Sequence, residues 1–406
     1  MLRHIRNNGN LIRLIFITVL SMGLTMVSSF VLARLLSVHD RGLHQLFITA
    51  VSYAVTFATG GSGFALALSM RRKQYLGWQS YFIGFLVFAV LIACIGLLIF
   101  NFTDFHLLFV LNVVLTALLT MTLEKSKIDP QLKIYRILTL QQPVLLVSIY
   151  GLAYLLLGEQ EFHVVLYLLT AFSGIQALAC VFYLCKINRS FIKKHNTELK
   201  PIQREFFLKT WFRQNLLQIF GATTSSLDKF LIMYFMGNYV LGLYTVCIAF
   251  DSLLTKFINM LADYFYSGLL NNMHRIKSVL LIIIVMSIGA VILVPLLAEP
   301  VIRFFFSAKY VEVAPVLIWF IVNSILAGLS WVLSQNMLLL GKQVQLFTRQ
   351  MIAIAVFVGL FYLFREQGLY GVAYAFIGSS LTRLIISVAY YFKYPVDFAA
   401  KSAVLK

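Results

Sequence analysis

The stretch WQSYFIGFLVFAVLIACIGLLIF occupies residues 78–100 and contains no Asp, Glu, Lys or Arg. The hydrocarbon core of a bilayer is about 30 Å thick, and an α-helix needs roughly 20 apolar residues to cross it. A segment in lipid must satisfy its own backbone hydrogen bonds, which a helix does along its whole length. The stretch therefore predicts a transmembrane helix.

Similar apolar runs, separated by short polar breaks, recur along the whole chain. The twelve runs are Leu14–Ala33, Leu43–Met70, Trp78–Phe100, Phe105–Leu123, Ile137–Leu157, Phe162–Leu184, Leu216–Met236, Val240–Leu261, Val279–Leu297, Ala314–Leu333, Met351–Phe364 and Leu369–Tyr391. The run Met351–Phe364 is short and reaches spanning length only if Leu346 and Phe347 are added. The pattern predicts an all-α, polytopic membrane protein with twelve transmembrane helices.

The distribution of positive charge orients these predicted spans. If the N-terminus is cytoplasmic, the outer segments hold only Arg34, Arg41, Arg303, Lys309 and Arg365, and the spans themselves hold Lys229, Lys256 and Arg383. The rest of the 33 Lys and Arg residues, for example Arg71, Arg72 and Lys73, then fall in cytoplasmic segments. This bias is the rule for membrane proteins, and one missed span would have inverted every later loop. Both termini are therefore expected in the cytoplasm.

Composition and missing motifs argue against several functions. The net charge of +18 would suggest nucleic acid for a soluble chain, but here it lies in loops that meet anionic lipid headgroups, so no nucleic-acid partner is expected. The four cysteines lie in or at the end of apolar runs without a CxxC or Cys/His cluster, which predicts neither disulfides nor a metal site. We find no Walker A pattern, no hydrolytic Ser/His/Asp set and no cleavable signal peptide. The chain is therefore expected not to be an enzyme.

The longest polar stretch, residues 186–213, lies near the middle of the chain and separates six predicted spans from six. We therefore expect an N-terminal six-helix bundle at 1–190, a basic cytoplasmic linker at 191–213, and a C-terminal six-helix bundle at 214–406. An even number of spans gives both halves the same orientation, as in transporters built from parallel repeats that bind substrate near the midplane.

Charged residues at membrane depth are the candidate functional residues, because a buried charge is expensive and usually faces water or another charge. The seventh predicted span contains Asp228 and Lys229, and the eighth contains Asp251 and Lys256. Either Asp228 pairs with a basic group on a neighbouring span to hold the packing, or the lysines line a cavity for an anionic headgroup while Asp228 or Asp251 carries a proton or cation. For Arg383 the favoured interpretation is a side chain that extends toward the inner surface.

Two further segments have alternative interpretations. Arg34 and Arg41 follow the first span and either sit at headgroup level or form the outer lip of the same cavity. The second span contains Thr59-Gly60-Gly61-Ser62-Gly63, where small residues permit close helix packing, the favoured interpretation, or a local break.

Short motifs spread in order over the chain add a family resemblance. They are Phe30-Val31-Leu32-Ala33-Arg34-Leu35-Leu36 with Asp40-Arg41-Gly42; Asp228-Lys229-Phe230-Leu231-Ile232 with Gly242-Leu243-Tyr244; Leu338-Leu339-Leu340-Gly341-Lys342-Gln343; and Gly368-Leu369-Tyr370-Gly371-Val372-Ala373. As a set they resemble the polysaccharide-repeat flippases of the multidrug/oligosaccharidyl-lipid/polysaccharide exporter superfamily. Ser37-Val38 replaces the Gly-Pro common after the first span in that family.

The resemblance implies a V-shaped pair of six-helix bundles that works by alternating access in the bacterial cytoplasmic (inner) membrane. The substrate would be an undecaprenyl-pyrophosphate-linked oligosaccharide of O-antigen, capsule or exopolysaccharide, and glycan polymerase machinery is an expected partner. Carried over by position, Arg34, Arg41, Lys229 and Lys256 would form the cationic cavity for the pyrophosphate, and Asp228 and Asp251 would be the coupling acids. No cofactor is implied beyond proton or sodium coupling.

Two other functions compete with the flippase. One is a cation-coupled small-molecule antiporter of the same superfamily, which the acids Asp228 and Asp251 leave open although the lysines count against it. The other is a membrane polymerase or ligase acting on the same lipid-linked glycan. Such enzymes usually carry a large outer loop, whereas the largest loop predicted here is cytoplasmic.

Overall fold

The structure is a computed structural model that describes residues 2–100, 102–129, 132–195, 198–270, 273 and 276–395. The chain is built from helices, as predicted. They are α1 (Leu2–Leu35), α2 (Val38–Thr59), α3 (Ser62–Arg71), α4 (Trp78–Phe100), α5 (His106–Ser126), α6 (Lys133–Leu157), α7 (Phe162–Lys194), α8 (Arg204–Leu270), α9 (Ile276–Phe305), α10 (Ala314–Leu339), α11 (Gln343–Phe364) and α12 (Leu369–Lys393). Short 3-10 helices at Thr103–Phe105, Ala308–Val313 and Arg365–Gln367, and two strands, β1 (Gln74–Leu76) and β2 (Lys200–Pro201), complete the described part.

The membrane prediction is confirmed, while the count of twelve spans is not. In the described residues, 11 helical stretches are long and apolar enough to cross a bilayer. One of them, Arg204–Tyr266, covers 63 residues and contains both the seventh and the eighth predicted spans. Within it Gly237 has a non-helical backbone, with φ 83° and ψ 178°, a conformation that glycine adopts without a steric penalty. Twelve separate spans therefore stay a prediction.

The chain divides into two compact units, Met1–Leu231 and Ile232–Lys406. We call them unit 1 and unit 2. The residues predicted as a linker, 191–213, lie inside unit 1, and the division falls within α8. Whether each half is a separate six-helix bundle stays a prediction.

In unit 1, α1 packs against α6, and α5 packs against α2, α3, α4 and α7. Buried aromatic and aliphatic side chains such as Tyr75, Phe207 and Leu138 form a core where several basic helix ends meet. β1 and β2 pair in parallel there, and Lys73 forms an ion pair with Glu198 beside them. This pairing joins the segment after α3 to the segment before α8, which brings two basic loops together.

In unit 2, α12 packs against α10 and α11, and α10 packs against α9. Gly328 of α10 faces Ile258 so closely that a Cβ added to the glycine would lie 2.4 Å from the Ile258 Cγ2 atom. Many large apolar side chains of α9 stay exposed, for example Leu281, Val285 and Leu296. A soluble protein rarely exposes such a surface, whereas lipid tails cover it at no cost, so exposed apolar helix faces are consistent with a bilayer as the solvent.

Candidate functional site

Arg34 and Arg41 flank the turn between α1 and α2 in unit 1. Arg34 is half-buried in the last turn of α1. Arg41, in the first turn of α2, is only 2% exposed, and its Nη2 donates a hydrogen bond to Ser29 Oγ at 2.9 Å. The Ser37 side chain caps α2 by accepting a hydrogen bond from the Asp40 amide, which fixes the turn. The burial of Arg41 argues against a guanidinium exposed at headgroup level.

Asp228 and Lys229 form an ion pair with each other. The Lys229 Nζ lies 3.2 Å and 3.4 Å from the two Asp228 carboxylate oxygens and also donates to the Ser225 carbonyl at 2.7 Å. Their side chains are 16% and 11% exposed, for Lys229 and Asp228 respectively. The packing alternative assigned Asp228 a basic partner on a neighbouring span, whereas the structure shows a partner in the next residue. In this geometry the two charges largely compensate each other.

Asp251 belongs to a polar network in unit 2. Ser324 of α10 donates a hydrogen bond to Asp251 Oδ1. Arg383 of α12 lies within Coulombic range of Asp251, and its Nη2 donates to Ser380 Oγ at 2.8 Å. Ser380 in turn donates to Asn323 Oδ1 at 2.6 Å. Arg383 is therefore held inside unit 2, which differs from the favoured interpretation of a side chain that extends to the inner surface.

Arg349 of α11 is a buried cation, although the charge pattern predicted it in a cytoplasmic segment. It is 6% exposed. Its Nη1 donates to Ser387 Oγ at 2.7 Å, to Ser330 Oγ at 3.1 Å and to Ser334 Oγ. A sequence signal existed: Ser330 and Ser334 are one helical turn apart on α10, so both hydroxyls face the same side. The addition of Leu346 and Phe347 to the eleventh span, which its length requires, also places Arg349 within that span.

Arg349 and Arg383 place two cations within the apolar helices α11 and α12 of unit 2. The two arginines interact electrostatically, and in the described residues neither forms an ion pair within 4.0 Å. Their side-chain hydrogen bonds go to neutral serines, which do not cancel the charge, and the Nε atoms of both arginines are buried without a hydrogen-bond partner among the described residues. We use the name arginine network for the two arginines, Asp251 and the polar residues hydrogen-bonded to them or to each other. Its members are Asp251, Asn323, Ser324, Ser330, Ser334, Arg349, Ser380, Arg383 and Ser387.

The glycines of the second predicted span produce both outcomes that were considered, a break and close packing. α2 ends at Thr59, Gly61 has φ 78°, and α3 begins at Ser62. Gly63 packs so closely that an added Cβ would lie 2.2 Å from the Met121 carbonyl oxygen. The favoured interpretation, close packing, is therefore accompanied by a discontinuous helix.

Two polar residues of other helices satisfy the backbone groups that this break exposes. The carboxylate of Glu124 in α5 accepts hydrogen bonds at 3.3 Å from the amides of Gly61 and Phe64, and at 2.6 Å from Gln218 Nε2. Asn215 Nδ2 donates to the carbonyl oxygens of Thr56 and Gly60 at 2.8 Å and 3.1 Å. A carboxylate at a helix N-terminus is electrostatically favourable. Glu124 was not among the residues predicted from the sequence.

Of the six predicted site residues, Asp228 and Lys229 lie in direct contact with each other. Lys256 lies in α8, but its side chain is outside the part of the molecule that the structure describes. A small cavity of about 200 Å³ in unit 1 is lined by apolar residues and by the uncharged polar residues Ser52, Asn112, Thr116, Gln142 and Ser173. Among the described residues, no group of three or more His, Cys, Asp or Glu is arranged to hold a metal ion.

Comparisons with known proteins agree on a transporter fold. A family model described as "Polysaccharide biosynthesis protein" matches residues 9–266. Among solved structures, an inward-facing multidrug resistance MATE family transporter of the MOP superfamily is 14% identical with a TM-score of 0.67, over 93% of this chain and 95% of that one. An outward-facing one is 13% identical with a TM-score of 0.57, over 95% of each chain.

A MOP superfamily transporter from Pyrococcus furiosus, described as having a binding pocket of reverse polarity, is 12% identical with a TM-score of 0.54, over 97% of this chain and 96% of that one. No curated protein matches the chain. At these identities the solved structures establish the fold, which is the polytopic fold of the MOP transporters.

Proposed function

Because the chain belongs to the polysaccharide biosynthesis protein family and has the MOP transporter fold, we propose that it is a lipid-linked oligosaccharide flippase. It moves an undecaprenyl-pyrophosphate-linked repeat unit of O-antigen, capsule or exopolysaccharide from the inner to the outer leaflet of the bacterial cytoplasmic membrane. Both termini are then cytoplasmic, and a glycan polymerase receives the product. The family match over residues 9–266 is the observation that carries this proposal.

Charge at membrane depth supports an anionic substrate. A diphosphate cannot enter a low-dielectric region without compensating cations. Unit 1 contains the buried Arg41, and unit 2 contains the buried Arg349 and, beside Asp251, Arg383. We propose that Arg34, Arg41, Lys229 and Lys256 bind the pyrophosphate, and that the arginine network adds positive charge in unit 2. Asp228 and Asp251 are the proposed coupling acids.

Transport can be tested directly in liposomes that contain the purified protein and a fluorescent lipid-linked oligosaccharide. An external glycosidase cleaves only the units that reach the outer leaflet, so cleavage beyond the initially exposed fraction measures translocation. Lys229→Glu should abolish translocation because it replaces a cation next to Asp228 with a second acid. Arg303→Glu is a matched control, since it makes the same change of charge at an exposed residue that pairs with Glu299 at the end of α9. Equal translocation by Lys229→Glu would remove Lys229 from the site.

The second candidate function is a cation-coupled small-molecule antiporter. The buried Asp228 and the half-buried Asp251 favour it, because acids inside a transporter commonly carry protons or cations. Liposomes that exchange a cationic dye for protons, but leave lipid-linked oligosaccharide in its original leaflet, would establish this function instead.

We propose that the chain transports its substrate and leaves it chemically unchanged. The same liposomes test this, because a polymerase or ligase would alter the length of the lipid-linked glycan. An unchanged chain length after translocation is the expected result.

A further inference from the structure

A cavity of about 510 Å³ lies at the basic end of unit 1, where α3, α5, α6 and α7 end or begin. Four lysines line it, Lys125, Lys133, Lys186 and Lys194. The one carboxylate in its wall is Asp129, whose Oδ2 accepts a hydrogen bond at 3.1 Å from the Lys133 amide, the first residue of α6. The cavity is therefore strongly positive, and its volume is typical of a small-molecule site.

Lys125 is the buried member of this set, at 2% exposure. Its Nζ donates to Asn188 Oδ1 at 2.7 Å and lies 5.3 Å from the centre of the Tyr75 ring. The Tyr75 hydroxyl donates to the same Asn188 oxygen at 2.8 Å, and burial raises the pKa of this tyrosine, so the hydroxyl stays a donor. Among the described residues, no carboxylate lies within 4.0 Å of the Lys125 Nζ. Burial disfavours the charged form of this amine, and an anion in the cavity would favour it.

The rest of the cavity wall is apolar. Ile134, Leu184 and Phe191 contribute to it, together with Ile137. Ile137 is 40% exposed and is the first residue of the fifth predicted span. An apolar wall that reaches an exposed position at the end of a predicted span, next to a cluster of lysines, suits a molecule with an anionic head and a hydrocarbon tail.

We propose that this cavity binds the phosphate headgroup of an anionic membrane lipid, with part of an acyl chain along Ile134 and Ile137. Basic pockets between transmembrane helices on the cytoplasmic side recognise such headgroups. The lysines supply the charge, and the buried Lys125 supplies a donor inside the cavity. This inference rests on unit 1 alone and does not require the proposed transport function.

The test compares two triple variants of the full chain that remove the same charge at the same end of unit 1. The first, K133Q/K186Q/K194Q, changes exposed lysines that line the cavity. The second, K127Q/R189Q/K193Q, changes exposed basic residues that do not. Each protein is equilibrated in mixed micelles of phosphatidylglycerol and phosphatidylcholine, and native mass spectrometry measures the ratio of the two lipids retained per chain.

The cavity variant should lower the retained phosphatidylglycerol-to-phosphatidylcholine ratio about tenfold, because it removes three of the four lysines that would contact a headgroup inside the cavity. The matched variant should change it less than about twofold. Equal losses in both variants would assign the preference to general surface charge, and no loss in either would show that the cavity is not used. Either result overturns the proposal.

Two further measurements identify the source of the bound phosphate and test the role of the buried Lys125. Excess inorganic phosphate should not displace phosphatidylglycerol, because the apolar wall contributes to binding. Displacement would show a site for the free anion and overturn the lipid assignment. Lys125→Met, which keeps the aliphatic stem, should lose the preference for phosphatidylglycerol while staying folded by gel filtration, and a folded variant with unchanged preference would contradict the role of Lys125.

Discussion

Replacing Gly61 with alanine perturbs the break between α2 and α3 in two separable ways. Gly61 has φ 78° in the left-handed region, which costs an L-residue about 1–2 kcal/mol. The new Cβ would also lie 2.7 Å from both Cβ and Cγ of Gln214. Overpacking of this kind typically adds about 1–3 kcal/mol. We therefore expect Gly61→Ala to lower the free energy of unfolding by about 2–5 kcal/mol.

Two other glycines separate these contributions. Gly77 has φ 81°, and no atom lies within 4 Å of the position that an added Cβ would take, so Gly77→Ala should cost only the backbone part, about 1–2 kcal/mol. Gly84 lies within α4 with open space around it, so Gly84→Ala should be neutral or stabilise the protein by up to about 1 kcal/mol.

The assay is unfolding of the purified protein in mixed micelles, followed by circular dichroism as a denaturing detergent is titrated. The difference between Gly61→Ala and Gly77→Ala isolates the contact with Gln214. If the two variants are equally destabilised, α8 does not pack on the break as described, and the reasoning is refuted.

Three other perturbations follow from the contacts described above. Arg349→Met should change the free energy of unfolding by no more than about 1 kcal/mol, because the Ser334 and Ser387 hydroxyls still donate to the carbonyl oxygens of Ser330 and Arg383 and buried charges are often replaceable by apolar groups. The variant should nevertheless abolish oligosaccharide translocation in liposomes. Full translocation would show that Arg349 has no part in the function. Lys229→Met should destabilise the protein more than the double variant Asp228→Asn/Lys229→Met, with a coupling energy of about 0.5–3 kcal/mol in a double-mutant cycle, whereas additive effects would contradict the ion pair. Lys73 lowers the pKa of Glu198, so the stabilisation from this pair is present above the ordinary Glu pKa of about 4.3 and is lost as the pH falls through the lower, folded-state pKa. The thermal midpoint of Glu198→Gln should therefore lie slightly below that of the unchanged chain at pH 7 and approach it in acid. A difference in midpoint that widens in acid would contradict a stabilising ion pair.

The site was only partly predictable from the order of residues. Asp228, Lys229 and Asp251 were recognisable because charges interrupt apolar runs. Their partners were not, since the Ser324 hydroxyl that binds Asp251 is 73 positions away. In the sequence, Arg349 lies just before the apolar run Met351–Phe364 and resembles a loop cation. In the structure, serines of α10 and α12 accept its hydrogen bonds.

The sequence alone determined that this chain crosses a membrane many times as helices, and it placed both ends of α4 and α12 within two residues. It could do so because the bilayer imposes a length and an apolar composition on every span, whichever helices lie beside it. Only the tertiary structure decided that Glu124 and Asn215 stabilise the break at Gly61, that Arg349 is buried and that four lysines of unit 1 surround one cavity. These features depend on contacts between helices distant in sequence, and hydropathy carries no information about which helices become neighbours.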